Sequence, residues 1–333
     1  MIHSVTRRRA IGITAAVAGL SLVPLGRAGR AEASLVTWRG HAMGALASLQ
    51  IHHTDRRLAE RLVQRAVSEV RRLERLLSLY HDDSALVALN RSGVLLAPAE
   101  DLVRVLHECK HYWELTGGAF DPTVQALWAL YRDHFSKEGH DPAGPSADAR
   151  RAALDKVGFR HVVFDGNRIV LRRGMGLTLN GINQGYATDR VVEILRSEGI
   201  EHSLVDMGES RALGDRPDGQ PWRIGIADPN APERTGEILG VTDKALATSG
   251  GYGFHFDPEG RFNHLFDPNS GGCAARYRSV TAVMPTATAA DALSTAFSLM
   301  PEATISKVLA SVGAGEVHAT AASGRRFVLR PTT

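Results

Sequence analysis

The stretch HLFDPNSGG, residues 264–272, places an imidazole three residues before a carboxylate, and a proline and two glycines follow. The part from Asp267 onward already has the composition of a turn. A turn gives no reason for a histidine at its head, whereas an imidazole that titrates near neutral pH can accept and donate protons. His264 therefore needs a chemical explanation, and the question is what it acts on.

A carboxylate also stands inside the apolar segment ADALSTAFSLM, residues 290–300, which has the pattern of a buried helix. A charge is costly there, and Thr295 lies four residues after Asp291, on the same helix face. Two interpretations remain open. Asp291 either stabilises the helix N-terminus electrostatically, or its carboxylate and the Thr295 hydroxyl form half of an oxygen-ligand site for a cation such as Mg²⁺.

Helices and strands of ordinary length surround these residues. The clearest helix is predicted from Leu58 to Leu77, where apolar residues recur every three or four positions. Residues 34–52 alternate as a strand or hairpin does, and residues 177–180 are predicted to form a strand that leads into a glycine-containing turn and a helix. Because helices and strands mix without regular βαβ alternation, the pattern predicts an α+β fold with mixed sheets and packed helices.

The first 33 residues are predicted to be an export signal. They carry the pair Arg7-Arg8, an uncharged apolar run and small residues before Ser34, a pattern typical of a twin-arginine signal peptide. They hold five of the 39 basic and one of the 36 acidic residues, so the remaining chain is close to neutral. This balance gives no electrostatic case for nucleic-acid binding. We expect a periplasmic protein exported by the twin-arginine pathway, with an ordinary Sec signal or an uncleaved anchor as the alternative interpretation of these residues.

Several stretches that break the packing pattern occur together and in a recognisable order. Taken jointly, they resemble the ApbE family of periplasmic FAD:protein FMN transferases, over roughly residues 38–300. The matching segments are Met43-Gly44, Gly118 to Thr123, Gly181 to Asp189, Thr248 to Tyr252, His264 to Pro268, Ser279 to Thr281 and Ala290 to Thr295. The resemblance implies that residues 34–333 form one FAD-binding transferase domain, which joins FMN to a Thr or Ser of another protein and releases AMP.

The resemblance also implies a role for individual residues. His264 would be the general base for the acceptor hydroxyl, and Asp291, Thr295 and the carbonyl of Gly181 would bind Mg²⁺ or Mn²⁺. The flavin or adenine pocket would be formed by six residues: Met43, Asn90, Asp121, Gln184, Thr248 and Tyr252. Two of these have plainer interpretations, since Asn90 is also a candidate helix C-cap and Tyr252 a candidate core aromatic.

The chain departs from the common family pattern at two positions. Thr178 and Gln184 stand where many members have Asp and Lys, and the segment is similar to the NosX branch, which is associated with nitrous-oxide reduction. That branch implies a membrane-bound acceptor such as a NosR-like flavoprotein, with an acceptor pattern close to Asp-Gly-x-Thr/Ser-Gly-Ala-Thr. The pattern does not occur in this chain, which favours a donor enzyme.

Two alternatives to a transferase stay open on the sequence. A periplasmic protein that carries FAD without transferring FMN is favoured by Gln184, because a cation beside the pyrophosphate would be missing. A scaffold whose motifs have decayed would bind no flavin. His264, Asp291 and Thr295 favour the enzyme, since a carrier needs neither a base nor a metal at the pyrophosphate.

Overall fold

The computed structural model describes residues 34–331, so the predicted export signal lies outside the described residues. The helices are α1 (Arg56–Leu77), α2 (Ala85–Ser92), α3 (Glu100–Leu115), α4 (Gln125–Phe135), α5 (Ala147–Leu154), α6 (Asn183–Ser197), α7 (Ala287–Phe297) and α8 (Glu302–Val312). The strands are β1 (Ser34–Ala42), β2 (Ala45–His53), β3 (Val94–Leu96), β4 (Val163–Phe164), β5 (Arg168–Val170), β6 (His202–Asp206), β7 (Ser210–Leu213), β8 (Trp222–Asp228), β9 (Ala231–Val241), β10 (Ala245–Ser249), β11 (Tyr277–Met284), β12 (Glu316–Ala321) and β13 (Arg326–Leu329). Within residues 34–331, no helix combines the length and the apolar character needed to cross a membrane.

One large sheet organises the molecule. Its eight strands follow the order β1-β2-β6-β7-β10-β11-β12-β13, with a three-stranded sheet β3-β5-β4 and the hairpin β8-β9 beside it. The α+β class is confirmed, and each pairing recorded for residues 34–331 is antiparallel, where the sequence suggested mixed sheets. The predicted strand at residues 177–180 is wrong, because this segment is an irregular connection that leads into α6.

Helices α1, α6 and α7 pack together with the large sheet to form the main core. The apolar stripe of α1 is buried along its length, as its spacing predicts. Helix α7 carries mostly small, apolar residues, and its residues from Ala287 to Phe297 are buried except Ala289 and Thr295. This burial places Asp291 in the interior, 4% exposed, and leaves Thr295 partly accessible.

A second, smaller core holds the long connection between β10 and β11. The rings of Tyr131, Phe256, Phe262 and Phe266 cluster there, with Tyr131 and Phe266 centroids 4.9 Å apart. The Tyr131 hydroxyl also donates to the carbonyl of Gly271 at 3.1 Å. The connection that carries His264 is therefore anchored by aromatic packing, although it is mostly irregular.

Candidate active site

The candidate site forms where the first turn of α6 meets α7. The backbone N–H of Gly185 donates to Oδ2 of Asp291 at 3.0 Å. The pKa of Asp291 is raised to about 7, chiefly by burial and also by the charge of Asp189, against the opposing effect of the N–H groups of Gly185 and Gln184. Asp291 therefore does contact a helix N-terminus, but that of the neighbouring helix α6 and not that of its own helix.

Gly181 and Thr295 lie against each other beside this carboxylate. A Cβ built on Gly181 would stand 2.9 Å from the Thr295 hydroxyl oxygen. Ser249, at the end of β10, faces the same side: its hydroxyl is 2.9 Å from that of Ser294 and 3.4 Å from that of Thr295. The structure thus brings the three predicted cation-binding residues together, with Gly181 in the turn before α6 and Asp291 and Thr295 on α7, and a side chain at 181 would crowd Thr295.

The junction of the two helices also depends on Gly185. A Cβ at this position would lie 2.2 Å from the carbonyl oxygen of Ala287 and 2.8 Å from the nitrogen of Thr288. These are backbone atoms at the start of α7, so the clash is relieved only by moving one helix.

We expect Gly185→Ala to lower the melting temperature and to abolish activity, because it separates α6 from α7. Overpacking of this kind typically costs about 1–3 kcal/mol. Differential scanning calorimetry measures the effect. Gly166→Ala is the matched control, since no atom lies within 4 Å of the added Cβ; equal melting temperatures for the two variants would contradict the prediction.

Met43 and Gln184 form a second part of the site. Met43 occupies the turn between β1 and β2 in a left-handed conformation, with φ of 51°, which is uncommon for a residue other than glycine. Its N–H donates to the Glu74 carboxylate at 2.6 Å, and its carbonyl accepts from Nε2 of Gln184 at 3.2 Å. The Gln184 side chain fills the space above Gly208, where a Cβ would stand 2.6 Å from its Cδ. Gln184 thus fastens the turn to α6.

His264 lies on the connection that follows β10. Asn263 stabilises this connection internally, because its amide donates to the carbonyl of Ala274 at 2.9 Å and accepts from the N–H of Leu265 at 3.0 Å. The Nδ1 atom of His264 is 3.4 Å from the carbonyl of Phe254. The pKa of His264 is lowered to about 4, chiefly by burial and also by the charge of His255, against the opposing effect of the Phe254 carbonyl. With Nδ1 facing a carbonyl, the neutral tautomer leaves Nε2 free to accept a proton.

The carboxylate three residues on does not serve the imidazole. The side chain of Asp267 accepts from the N–H of Asn269 at 2.9 Å and from the hydroxyl of Ser270 at 2.8 Å. Its own N–H donates to the carbonyl of Gly272 at 2.8 Å. Asp267 therefore closes the turn, as its sequence context indicates. This turn directly follows the segment that carries His264.

The lowered pKa of His264 predicts how stability depends on pH. The unfolded chain binds a proton below about pH 6.5, whereas folded His264 stays neutral down to about pH 4. Stability from this group is complete above pH 6.5 and is lost as the pH falls towards 4, by at most about 3 kcal/mol. In urea unfolding at pH 7.5 and pH 5, His264→Ala should lose less stability than the wild type; an equal loss would contradict the burial of His264.

Asn90, which is half-buried, and Asp121, which is buried, both hold neighbouring backbone segments in place. The Asn90 amide donates to the carbonyl of Leu177 at 2.8 Å and accepts from its N–H at 2.7 Å, so it fixes the irregular segment that precedes α6. Asn90 is not the C-cap of α2, because Gly93 holds that position in the left-handed conformation. Asp121 accepts from the N–H groups of Thr123 at 2.8 Å and Phe159 at 2.9 Å, while burial raises its pKa. Contact of either residue with a flavin stays a prediction.

Thr248 and Tyr252 lie beside the site with different surroundings. The Thr248 hydroxyl is 2.8 Å from that of Thr281 on β11. Because side chains alternate along a strand, it points to the opposite face from Ser249 and away from Asp291. Tyr252 is half-buried, so it is not a core aromatic. Burial raises the pKa of Tyr252, a hydrogen bond with Ser279 opposes this, and the charge of Glu209 adds to it.

The model of the ApbE family matches residues 43–319, which is most of the chain. The chain belongs to the ApbE family. The FAD:protein FMN transferase of Vibrio cholerae is 33% identical over 233 residues, covering 68% of this chain and 69% of that protein. That of Treponema pallidum is 32% identical over 245 residues, covering 67% of each.

Solved structures agree with this membership. The ApbE protein of Thermotoga maritima has a TM-score of 0.76 at 27% identity, covering 90% of this chain and 97% of that one. The apo flavinyl transferase ApbE of Pseudomonas stutzeri has a TM-score of 0.74 at 26% identity, covering 90% and 94%. The predicted family, the α+β fold and the enzyme class are thereby confirmed.

Three residues of this ApbE site were not singled out from the sequence. Tyr80 is 55% exposed, and its hydroxyl accepts from the amide of Asn180 at 3.0 Å, directly before Gly181. Glu74 holds the Met43 turn. Glu209 is 9% exposed, and burial, with Asp291 and Asp206 nearby, raises its pKa well above the usual range. Of these three, only Tyr80 could have been found from the sequence, as an aromatic residue close to two aspartates in a predicted turn. Glu74 and Glu209 look like ordinary surface acids in the sequence.

Proposed function

We propose that this protein transfers FMN from FAD to a Thr or Ser hydroxyl of a partner protein, with Mg²⁺ or Mn²⁺, and releases AMP. The observation that carries the proposal is the junction of α6 and α7, where Gly181, Asp291 and Thr295 meet. Membership of the ApbE family and relatives named FAD:protein FMN transferase support it.

The donors at this junction fit a divalent cation of the Mg²⁺ type. They are oxygens, namely a backbone carbonyl, a carboxylate and a hydroxyl, and only Asp291 among them carries charge. Within residues 34–331 no group of three or more His, Cys, Asp or Glu side chains is placed to hold a metal. A site with one carboxylate suits Mg²⁺, which usually keeps waters and binds substrate phosphates as well. When bound, the cation would neutralise charge on the pyrophosphate of FAD.

The residues of the chain would then act as follows. The acceptor hydroxyl loses its proton to Nε2 of His264 while its oxygen attacks the phosphorus on the FMN side of the pyrophosphate. A new P–O bond to the acceptor forms, the P–O bond to AMP breaks, and AMP leaves with the electron pair. His264 is neutral at pH 7, because burial lowers its pKa to about 4, so it is ready to take the proton.

We further propose where this reaction takes place and on what. The pattern of residues 1–33 supports twin-arginine export to the periplasm, and N-terminal sequencing of the exported protein should begin at Ser34. The segment from Thr178 to Gln184 supports the NosX branch, and hence a NosR-like membrane flavoprotein of nitrous-oxide reduction as acceptor.

The test combines purified protein, FAD, Mg²⁺ and an acceptor domain that carries the Asp-Gly-x-Thr-Gly-Ala-Thr pattern. Intact-mass spectrometry should find one FMN on the acceptor, with an equal amount of AMP released. Replacing the acceptor threonine by valine is the control and should prevent both. If the protein binds FAD but never modifies a cognate acceptor, the transferase proposal fails.

That failure would support the FAD carrier, which one observation favours. The amide of Gln184 donates to the carbonyl of Met43, and its side chain packs over Gly208. Position 184 therefore offers no cation to a pyrophosphate. Gln184→Lys restores the charge common in the family. It should transfer FMN at least as fast as the wild type if only charge was lost at this position.

A further inference from the structure

Helices α6 and α7 cap each other. Asp291, four residues after Ala287 in α7, accepts from the N–H of Gly185 in the first turn of α6 at 3.0 Å. In return, Asp189, four residues after Gly185 in α6, accepts from the N–H groups of Ala287 at 2.9 Å and Thr288 at 2.8 Å in the first turn of α7. The exchange is needed on the α6 side, because α6 has no capping side chain at its own N-cap residue.

Asp189 is itself held firmly. It is 7% exposed, its Oδ2 also accepts from the Thr288 hydroxyl at 2.6 Å, and its Oδ1 forms an ion pair with Arg211 of β7. Arg211 is equally buried, at 8% exposed. One carboxylate thus joins α6, α7 and the large sheet. Removing its charge would leave a buried guanidinium without a partner, which is strongly unfavourable.

We infer that Asp189 is a positioning residue for the cation site, although it belongs to no ligand set. It fixes the start of α7, and the following turns of α7 present Asp291 and Thr295 to Gly181. The inference rests on the proposed function only in taking these three residues as the cation site. Residues that orient metal ligands typically change metal affinity by about 10–100-fold when they are replaced.

Asp189→Asn tests the inference. Its amide can accept one hydrogen bond but places an NH₂ group against N–H donors, so the start of α7 should shift. We expect the Mn²⁺ dissociation constant, measured by electron paramagnetic resonance titration without FAD, to rise about 10–100-fold. Thr288→Val, which removes only the 2.6 Å hydroxyl bond, should raise the Mn²⁺ dissociation constant by a smaller factor. If Asp189→Asn does not fold, the result for Thr288→Val tests the inference by itself.

A second measurement does not depend on the metal. Hydrogen–deuterium exchange followed by mass spectrometry should be faster in Asp189→Asn at the first turn of α7 and also at the first turn of α6, which Asp189 does not cap. Ile305→Ala is the control for stability. Ile305 is fully buried in α8, so this variant should unfold at lower temperature and still bind Mn²⁺ as the wild type does.

The outcomes are distinct. If Asp189→Asn and Thr288→Val bind Mn²⁺ as the wild type does, and only their melting temperatures fall as in Ile305→Ala, the inference is overturned. Asp189 would then have a structural role alone. A wild-type protein that binds no Mn²⁺ would instead remove the proposed cation site, and the inference with it. Weaker Mn²⁺ binding in both variants, but not in Ile305→Ala, supports it.

Discussion

Replacing His264 by alanine is expected to slow FMN transfer by about 10²–10⁴-fold, the usual contribution of a general base, and to leave FAD binding nearly unchanged. A threonine hydroxyl is a weak nucleophile until a base takes its proton. His264 is unprotonated at neutral pH, since its pKa is about 4, so its ring has a lone pair that can accept this proton. Single-turnover transfer to the acceptor, followed by mass spectrometry, measures the rate, and flavin fluorescence titration measures FAD binding.

His255 provides the matched control. It lies on the same connection between β10 and β11 but is exposed, so His255→Ala should transfer FMN at close to the wild-type rate. If His264→Ala transfers as fast as His255→Ala, the enzyme would stand but His264 would not be its base. If His264→Ala loses FAD binding as well, the residue would be part of the binding pocket and the slower transfer would not report on proton transfer.

The sequence predicts some elements of this molecule well because their patterns are local. The stripe of α1 depends on residues three or four apart, and the structure confirms it. The segment at 177–180 misled because its alternation resembles a strand. Its backbone is instead held by Asn90, which is 87 positions away from Leu177, and no local pattern records such a bond.

The candidate site shows the same division. Spacing on one helix placed Asp291 and Thr295 on a common face, and the structure confirms that arrangement. That Asp291 caps α6 and Asp189 caps α7 depends on contacts across 106 and 98 positions of the chain. The order of the motifs predicts the family from the sequence. The hydrogen bonds that align the two helices join residues far apart in the chain, so only the packed structure shows them.

Asp291→Asn is expected to abolish Mg²⁺-dependent release of AMP from FAD while the fold survives. Asparagine keeps an oxygen that can accept from the N–H of Gly185, so the junction of α6 and α7 is preserved. It loses the one negative charge at the proposed cation site. A bound cation contributes several kcal/mol to such a reaction, so the rate should fall by at least about 10³-fold.

The alternative role of Asp291 predicts a different result on the same preparation. A carboxylate that only stabilises a helix N-terminus is worth about 0.3–1 kcal/mol, so Asp291→Asn would lower the melting temperature slightly and spare turnover. Asp101→Asn is the matched control. Asp101, on α3, accepts a hydrogen bond from the hydroxyl of Tyr186 on α6 at 2.5 Å, and this contact lies outside the site. This variant should lose some stability and keep AMP release. Equal AMP release by both variants would show that the carboxylate buried at the junction is a cap alone, and that the cation, if the reaction needs one, binds elsewhere.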